Sequence, residues 1–144
     1  MKNVNSGFTL VELLIVVAII GILGAIAWPY FQGHVVRARL TEVENAMAML
    51  GSTVSSYYQD SEGSWPNCTG INEIRTSLGV GFGSVTRISQ ITIVNGIITA
   101  TVDNIDPMVN NKTLILTPNV TGDGSIRWIW GSSADFPMHL RPKS

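Results

Sequence analysis

The chain has 144 residues, nine Lys and Arg against ten Asp and Glu, a net charge of −1 and a pI near 6.0. That balance excludes a global electrostatic attraction to nucleic acid. Its single cysteine, Cys68, excludes an internal disulfide, and with two histidines, His34 and His139, it forms no zinc-ligand spacing. The length suits one globular domain with an appended helix.

Met1 to Gly7 reads as a short polar leader carrying Lys2. From Phe8 to Phe31 the chain is almost free of charge, with Glu12 as its one acid, and no charged side chain occurs from Leu13 to Trp28. A helix of roughly twenty such residues spans a bilayer core, and helix satisfies every backbone group in lipid. The run must lie in lipid or against other copies of itself. An ordinary secretory signal has its cleavage site after the apolar core. Here the small residue, Gly7, precedes it, so cleavage after Gly7 would leave the core on the mature chain. Lys2 places the leader on the cytoplasmic side. A plain single-pass anchor explains the apolar run but not Glu12, because a carboxylate within a spanning helix is costly unless it is partnered. Cleavage after Gly7 would create an α-amine on Phe8 at a helix amino end, where the dipole disfavours positive charge. A neighbouring subunit's Glu12 would neutralise it.

Gly7-Phe8-Thr9-Leu10-Val11-Glu12, followed by an apolar segment through Ala27-Trp28-Pro29, resembles the amino terminus of type IV prepilins and the related pseudopilins. The resemblance implies cleavage after Gly7 and methylation of the Phe8 amine by a prepilin peptidase, and pairing of that amine with Glu12 during filament growth. Gly21 and Gly24 permit close helix approach. Pro29 removes a backbone donor and loosens the helix before it, in a region where family filaments have a softened helix. Trp28 reads equally as an anchor at the membrane surface or as a packing residue between subunits.

Helical periodicity continues through Val35, Val36, Leu40, Val43, Ala46, Met47, Leu50 and Val54. It predicts one helix from about Phe8 to about Tyr58. Arg37, Arg39, Glu42 and Glu44 fall mostly on the other side and read as a solvated, subunit-contacting face. Asp60 to Val80 is expected as loop, with a short helical turn over Asn72 to Leu78. Strands are expected over Val85–Val94, Ile97–Val102, Lys112–Thr117 and Ser125–Trp130, with Asn95-Gly96 and Thr121-Gly122-Asp123-Gly124 as turns. Ile126, Trp128 and Trp130 share one face of the last strand. The predicted class is α+β, a long amino-terminal helix packed on a four-stranded antiparallel sheet. The predicted organisation is a leader over 1–7, a helix over 8–58 whose residues 8–31 form the membrane and filament-core segment, and a globular head over 59–144.

The order of the last strands, with Asp135-Phe136-Pro137 and Arg141-Pro142-Lys143 after them, is similar to the carboxyl half of type IVa pilins. Many of these close a carboxyl-terminal loop with a disulfide. Trp130 stands where the first cysteine would align, so the loop is expected to be unstapled, and receptor roles tied to it do not carry over.

No catalytic residue, cofactor site or metal site is expected. Gly79, Gly81 and Gly83 lack the helix that a dinucleotide site needs. Asp103, Asp106 and Asp123 lack the ligand density of a calcium loop. Asn67, Asn111 and Asn119 begin Asn-x-Thr triplets that chance explains. His139, Arg141 and Lys143 make a small basic tail with a weak electrostatic footprint. Gly7 and Phe8 are thus the expected processing residues, and Glu12 and Pro29 the expected assembly residues. The resemblance implies a structural subunit of a type IV pilus, a helical homo-oligomer used for adhesion, twitching motility or DNA uptake. The alternative is a minor pilin or a type II secretion pseudopilin. The implied partners are the prepilin peptidase, a pilus assembly platform and the inner membrane before assembly, with DNA or a host receptor for the finished extracellular filament.

Overall fold

A computed structural model describes residues 8–81 and 86–142. In chain order it contains α1 (Leu10–Asp60), α2 (Ile71–Leu78), β1 (Ile88–Val94), β2 (Ile97–Val102), β3 (Thr113–Val120), β4 (Ile126–Ser132) and a 3-10 turn over Met138–Leu140. The class is α+β, as the sequence predicts. The leader with Gly7, the expected start of the first strand at Val85, and Lys143 lie outside the described residues. The chain forms two compact units, Met1–Val35 and Val36–Ser144.

In the second unit, α1 buries Leu40, Val43, Met47, Leu50 and Val54. Their three- and four-residue spacing places them on one helical face. That face packs in one core with Ile91 and Ile93 of β1, Ile98 and Ala100 of β2, and Leu114 and Leu116 of β3. Each side chain of this kind stabilises the fold by about 1.5–3 kcal/mol when fully buried. The two layers lie close together at Gly51. A Cβ there would lie 3.2 Å from Trp128 Cε2 and 3.3 Å from Leu116 Cδ2. The Trp128 indole N–H donates to Ser55 Oγ at 3.1 Å and fastens β4 to the helix.

The sheet is an antiparallel meander in the order β1-β2-β3-β4. Asn95 and Gly96 both have positive φ, 51° and 78°, the signature of the tight hairpin turn whose twist matches its strands. Gly96 also lies against Trp65, which stacks on Tyr58 with ring centroids 4.0 Å apart. Asn67 Oδ1 accepts the Asn95 N–H at 2.7 Å. The loop after α1 is thereby held on the hairpin. A Cβ on residue 96 would come within 2.4 Å of Trp65 Cε3. Gly96→Ala is therefore expected to destabilise the fold by about 1–3 kcal/mol, from overpacking together with an unfavourable φ. Denaturant unfolding reads this directly, and a change under about 0.5 kcal/mol, the size of a neutral surface substitution, would contradict the packing described.

β3 runs past the expected end at Thr117, through Pro118 to Val120. Proline ends a central strand because it lacks a donor. Here β2 pairs with β3 only as far as Ile98↔Leu116, whereas β4 continues to Val120↔Ile126. Pro118 therefore lies where β3 has become an edge toward β2.

Candidate assembly surface on the N-terminal helix

The first turn of α1 is a capping box. Thr9 stands immediately before the helix and Glu12 is its third residue. The Glu12 N–H donates to Thr9 Oγ1 at 3.3 Å, and the Thr9 N–H donates back to Glu12 Oε2 at 2.9 Å. The Thr9 hydroxyl donates to the same carboxylate oxygen at 2.7 Å. Two amide donors that the helix end would leave unsatisfied are thus reciprocally bonded. The carboxylate that the apolar run leaves in need of a partner finds one within its own chain. Both bonds fall on Oε2, and no hydrogen bond among the described residues engages Oε1. Periodicity alone misses this arrangement, but the spacing Thr9-x-x-Glu12 before an apolar run is its signature.

Beyond this cap, every residue from Phe8 to His34 is exposed. Phe8 is 86% and Trp28 68% exposed. The segment is long and apolar enough to cross a membrane. A Cβ on Gly21, Gly24 or Gly33 would meet nothing within 4 Å. Each glycine weakens the helix by about 1 kcal/mol relative to alanine, and no contact within the chain requires one. α1 remains helical through Pro29, whose missing N–H leaves the Ala25 carbonyl without its usual in-helix donor. Of the expected site residues, the structure describes Phe8, Glu12 and Pro29. Within the chain, Glu12 is bonded to Thr9.

Of the expected solvated face over Arg37 to Glu44, Arg37 and Glu42 are exposed, whereas Arg39 and Glu44 are partly buried. Arg37 Nη1 donates to the His139 carbonyl at 2.6 Å, and Arg39 Nη1 donates to that of Ile105 at 3.0 Å. Glu42 pairs with Arg87 at 3.1 Å, and Arg87 also donates to the Asn104 carbonyl at 2.6 Å. Glu44 is half-buried, and burial raises its pKa against the attraction of Arg37. Arg37, Arg39 and Glu42 thus bind loops of their own unit.

The carboxyl-terminal loop has no covalent staple but is clamped by other means. Phe136 and Leu140 are buried. Arg141 donates from Nε to the Phe136 carbonyl and from Nη2 to that of Ala134, both at 3.2 Å. Lys112 Nζ reaches the Asp135 carbonyl at 2.6 Å and its carboxylate at 3.3 Å. Arg141 of the expected basic tail is thus bound to its own loop.

Among the described residues, no cluster of three His, Cys, Asp or Glu side chains could hold a metal ion. The three aspartates considered for calcium cap turns instead. Asp103 accepts from the Asn104 N–H and Asp106 from the Met108 N–H. Asp123 accepts from the Thr121 hydroxyl and from the Ser125 N–H and hydroxyl. Those three bonds hold its pKa down from 3.8 to about 2. A depressed carboxylate supports its turn fully above the ordinary carboxylate range and loses that support as the pH falls through the folded value. The Thr121–Ser125 turn should therefore hold at pH 4 and loosen toward the folded value of about 2. A carboxyl NMR titration of Asp123 should show its midpoint near that value, and a midpoint near the ordinary 3.8 would refute the turn geometry. Cys68 is buried in a two-way backbone bridge with Ile93 at 2.8 Å. Burial pushes its thiol pKa up, which disfavours the reactive thiolate.

Two protein-family models match the chain. One describes a prokaryotic N-terminal methylation motif and covers residues 2–28. The other describes the pilin of bacterial filaments and covers residues 36–144. Fimbrial protein EcpC of Eikenella corrodens is 39% identical over 137 residues, covering 94% of this chain and 88% of its own. Type IV major pilin protein PilE of Neisseria gonorrhoeae is 35% identical over 136 residues, covering 91% and 77%. Type IV major fimbrial protein FimA of Dichelobacter nodosus is 42% identical over 60 residues, covering 42% and 38%.

Proposed function

This chain belongs to the type IV pilin family of bacterial filament subunits, and from that membership we propose how its residues build the filament. It is a structural subunit of a pilus, and assembly into that filament is a contact between copies of itself. Cleavage after Gly7 by a prepilin peptidase frees the Phe8 amine, which is then methylated. Residues 8–31 hold the precursor in the inner membrane until an assembly platform moves it into the growing filament. There the same residues form the core, and residues 59–144 form the head outside it. Pro29 softens the helix so that it can adapt on leaving lipid.

The observation that carries this reading is the uncovered apolar run of α1 from Phe8 onward. Such a surface has to be covered by lipid or protein. Glu12 supplies the register: Oε2 stays with the Thr9 cap, and Oε1 takes the Phe8 ammonium of the next subunit. Processing and capping are then compatible, because the second bond does not require the first to break. The extracellular filament serves adhesion, twitching motility or DNA uptake. The resemblance over the whole head favours a major subunit over a minor pilin or pseudopilin.

Mass spectrometry of filaments sheared from cells tests this reading. The expected mass is that of residues 8–144 with one added methyl group on Phe8. A filament subunit that retains residues 1–7 would overturn the processing scheme.

A further inference from the structure

β4 forms one end of the sheet, with β3 on one side and no strand on the other. In an antiparallel pair, residues that bond their partner alternate with residues that do not. The pattern here is fixed at both ends. The Ser133 N–H donates to the Thr113 carbonyl at 2.9 Å, and the Thr121 N–H donates to the Ser125 carbonyl at 2.9 Å. Alternation from either end makes Arg127, Ile129 and Gly131 the residues that bond β3. Pro118, which has no N–H to give, falls opposite Trp128 on a non-bonded pair. The backbone groups of Ile126, Trp128, Trp130 and Ser132 therefore point away from β3, along the open edge. Among the described residues, no loop bonds to them.

Native sheets ordinarily protect an edge with proline, lysine, a bulge or a covering segment. β1, at the opposite end of the sheet, has two of these. Its pairing with β2 shifts register between Ile88 and Gln90, and Cys68 covers it by bonding Ile93 in both directions at 2.8 Å. β4 has none. It contains no proline or lysine, and its register with β3 is continuous. At its carboxyl end the edge opens into a cavity of about 300 Å³ lined by Trp130, Gly131, Ser132, Arg141 and Pro142. Consecutive strand residues face opposite sides of a sheet, so only the edge itself brings all three strand residues to one cavity. Arg141 lines the same cavity. Its Nε and Nη2 hold the Phe136 and Ala134 carbonyls, and its Nη1 has no acceptor among the described residues.

We infer that this edge takes an extended peptide segment of another protein, added as a fifth strand antiparallel to β4, with an acidic side chain near its amino end on Arg141. Main-chain bonds to an open edge supply the affinity in such a contact, and side-chain pockets supply the specificity. An antiparallel strand begins beside Ser132, where a carboxylate meets Arg141 Nη1 in a charge-assisted bond. Its following side chains on the inner face lie beside Trp130 and Trp128, which pair best with β-branched or aromatic neighbours. A single guanidinium suits one carboxylate and not the repeated phosphates of a nucleic acid. The site lies wholly within the unit Val36–Ser144 and does not depend on the proposed filament.

Amide hydrogen exchange by NMR on the isotope-labelled full chain in detergent micelles tests the site. The probe is an acetylated synthetic peptide of alternating valine and threonine, as long as β4, with an aspartate at its amino end. Without probe, the amides of Trp128, Trp130 and Ser132 should exchange freely, while those of Arg127, Ile129 and Gly131 are protected. Excess probe should slow the first three by about tenfold, the factor that about 1.4 kcal/mol represents. An asparagine in place of the aspartate should weaken binding by about tenfold. A probe N-methylated where its N–H groups face β4 should not bind, whereas one methylated at the alternate positions should bind like the parent. Unchanged exchange under excess probe, or equal binding of the two methylated probes, would overturn the strand-accepting edge. So would protection of Trp128 and Trp130 without probe, as when two copies pair along β4. Equal binding of the asparagine probe would overturn the part assigned to Arg141.

Discussion

Glu12→Ala is expected to abolish filaments while leaving cleavage after Gly7 intact. In the proposed scheme the cleaved chain carries an ammonium on Phe8 at a helix amino end, and an apolar filament core would offer that charge no solvent to stabilise it. Breaking a buried ion pair by removing one partner costs about 3–5 kcal/mol. At about 1.4 kcal/mol per factor of ten, that weakens each subunit addition by roughly a hundredfold to a few thousandfold, enough to stop growth. Alanine also removes the return bond of the capping box, which the Thr9 N–H donates to Glu12 Oε2, so a second variant is needed. Glutamine suits the third helical position of a capping box but carries no charge. Glu12→Gln should therefore preserve the first turn of α1 and still fail to assemble. Filament yield by electron microscopy and the amino-terminal mass of the cell-associated chain are the readouts. Normal filaments from the glutamine variant would mean that the cap, and not the charge, is what assembly requires.

The largest effect on stability is expected at Phe136. Its side chain is buried in the same core as Leu40 and Val43, and its carbonyl accepts from Arg141. The loop it anchors is also held by Lys112 at Asp135 and by Arg37 at His139. Phe136→Ala should cost about 3–5 kcal/mol, a large part of the total of about 5–15 kcal/mol typical of a folded domain. Arg141→Ala removes two hydrogen bonds from a charged donor and should cost less, about 1–3 kcal/mol. Denaturant unfolding of the detergent-solubilised chain ranks the two. An arginine variant as damaged as the phenylalanine variant would place the clamp, rather than burial, at the centre of the loop's stability.

The elements whose formation is local were legible in the sequence. α1 lies within two residues of its expected ends, because its first half is continuously apolar and its second half strictly periodic. Asn95-Gly96 announced its hairpin through residues that tolerate positive φ. The short helix over Ile71–Leu78 began one residue before its expected start. Features that depend on distant partners were not legible. Arg37, Arg39 and Glu42 have the spacing of a solvated helix face, and only the fold brings the His139 and Ile105 carbonyls and the Arg87 side chain to them. β3 was expected to end at Thr117 but runs on through Pro118, because the missing donor matters only where a second strand stands opposite. The carboxyl-terminal clamp replaces a covalent link with Arg141, Lys112 and a buried ring, and none of these has a sequence pattern. The capping box is a different case: Thr9 and Glu12 carried a readable signal that the apolar run overshadowed.

In the proposed filament one helix segment serves first as membrane anchor and then as core, with Glu12 setting the register between copies. Electron cryo-microscopy of the native filament tests this arrangement most directly. Residues 8–31 should pack against one another along the filament axis. Each Glu12 should lie within hydrogen-bonding distance of the methylated Phe8 amine of a neighbouring subunit, with Thr9 still on the other carboxylate oxygen. A core built from other residues, or a Glu12 facing solvent with no neighbouring amine, would contradict it.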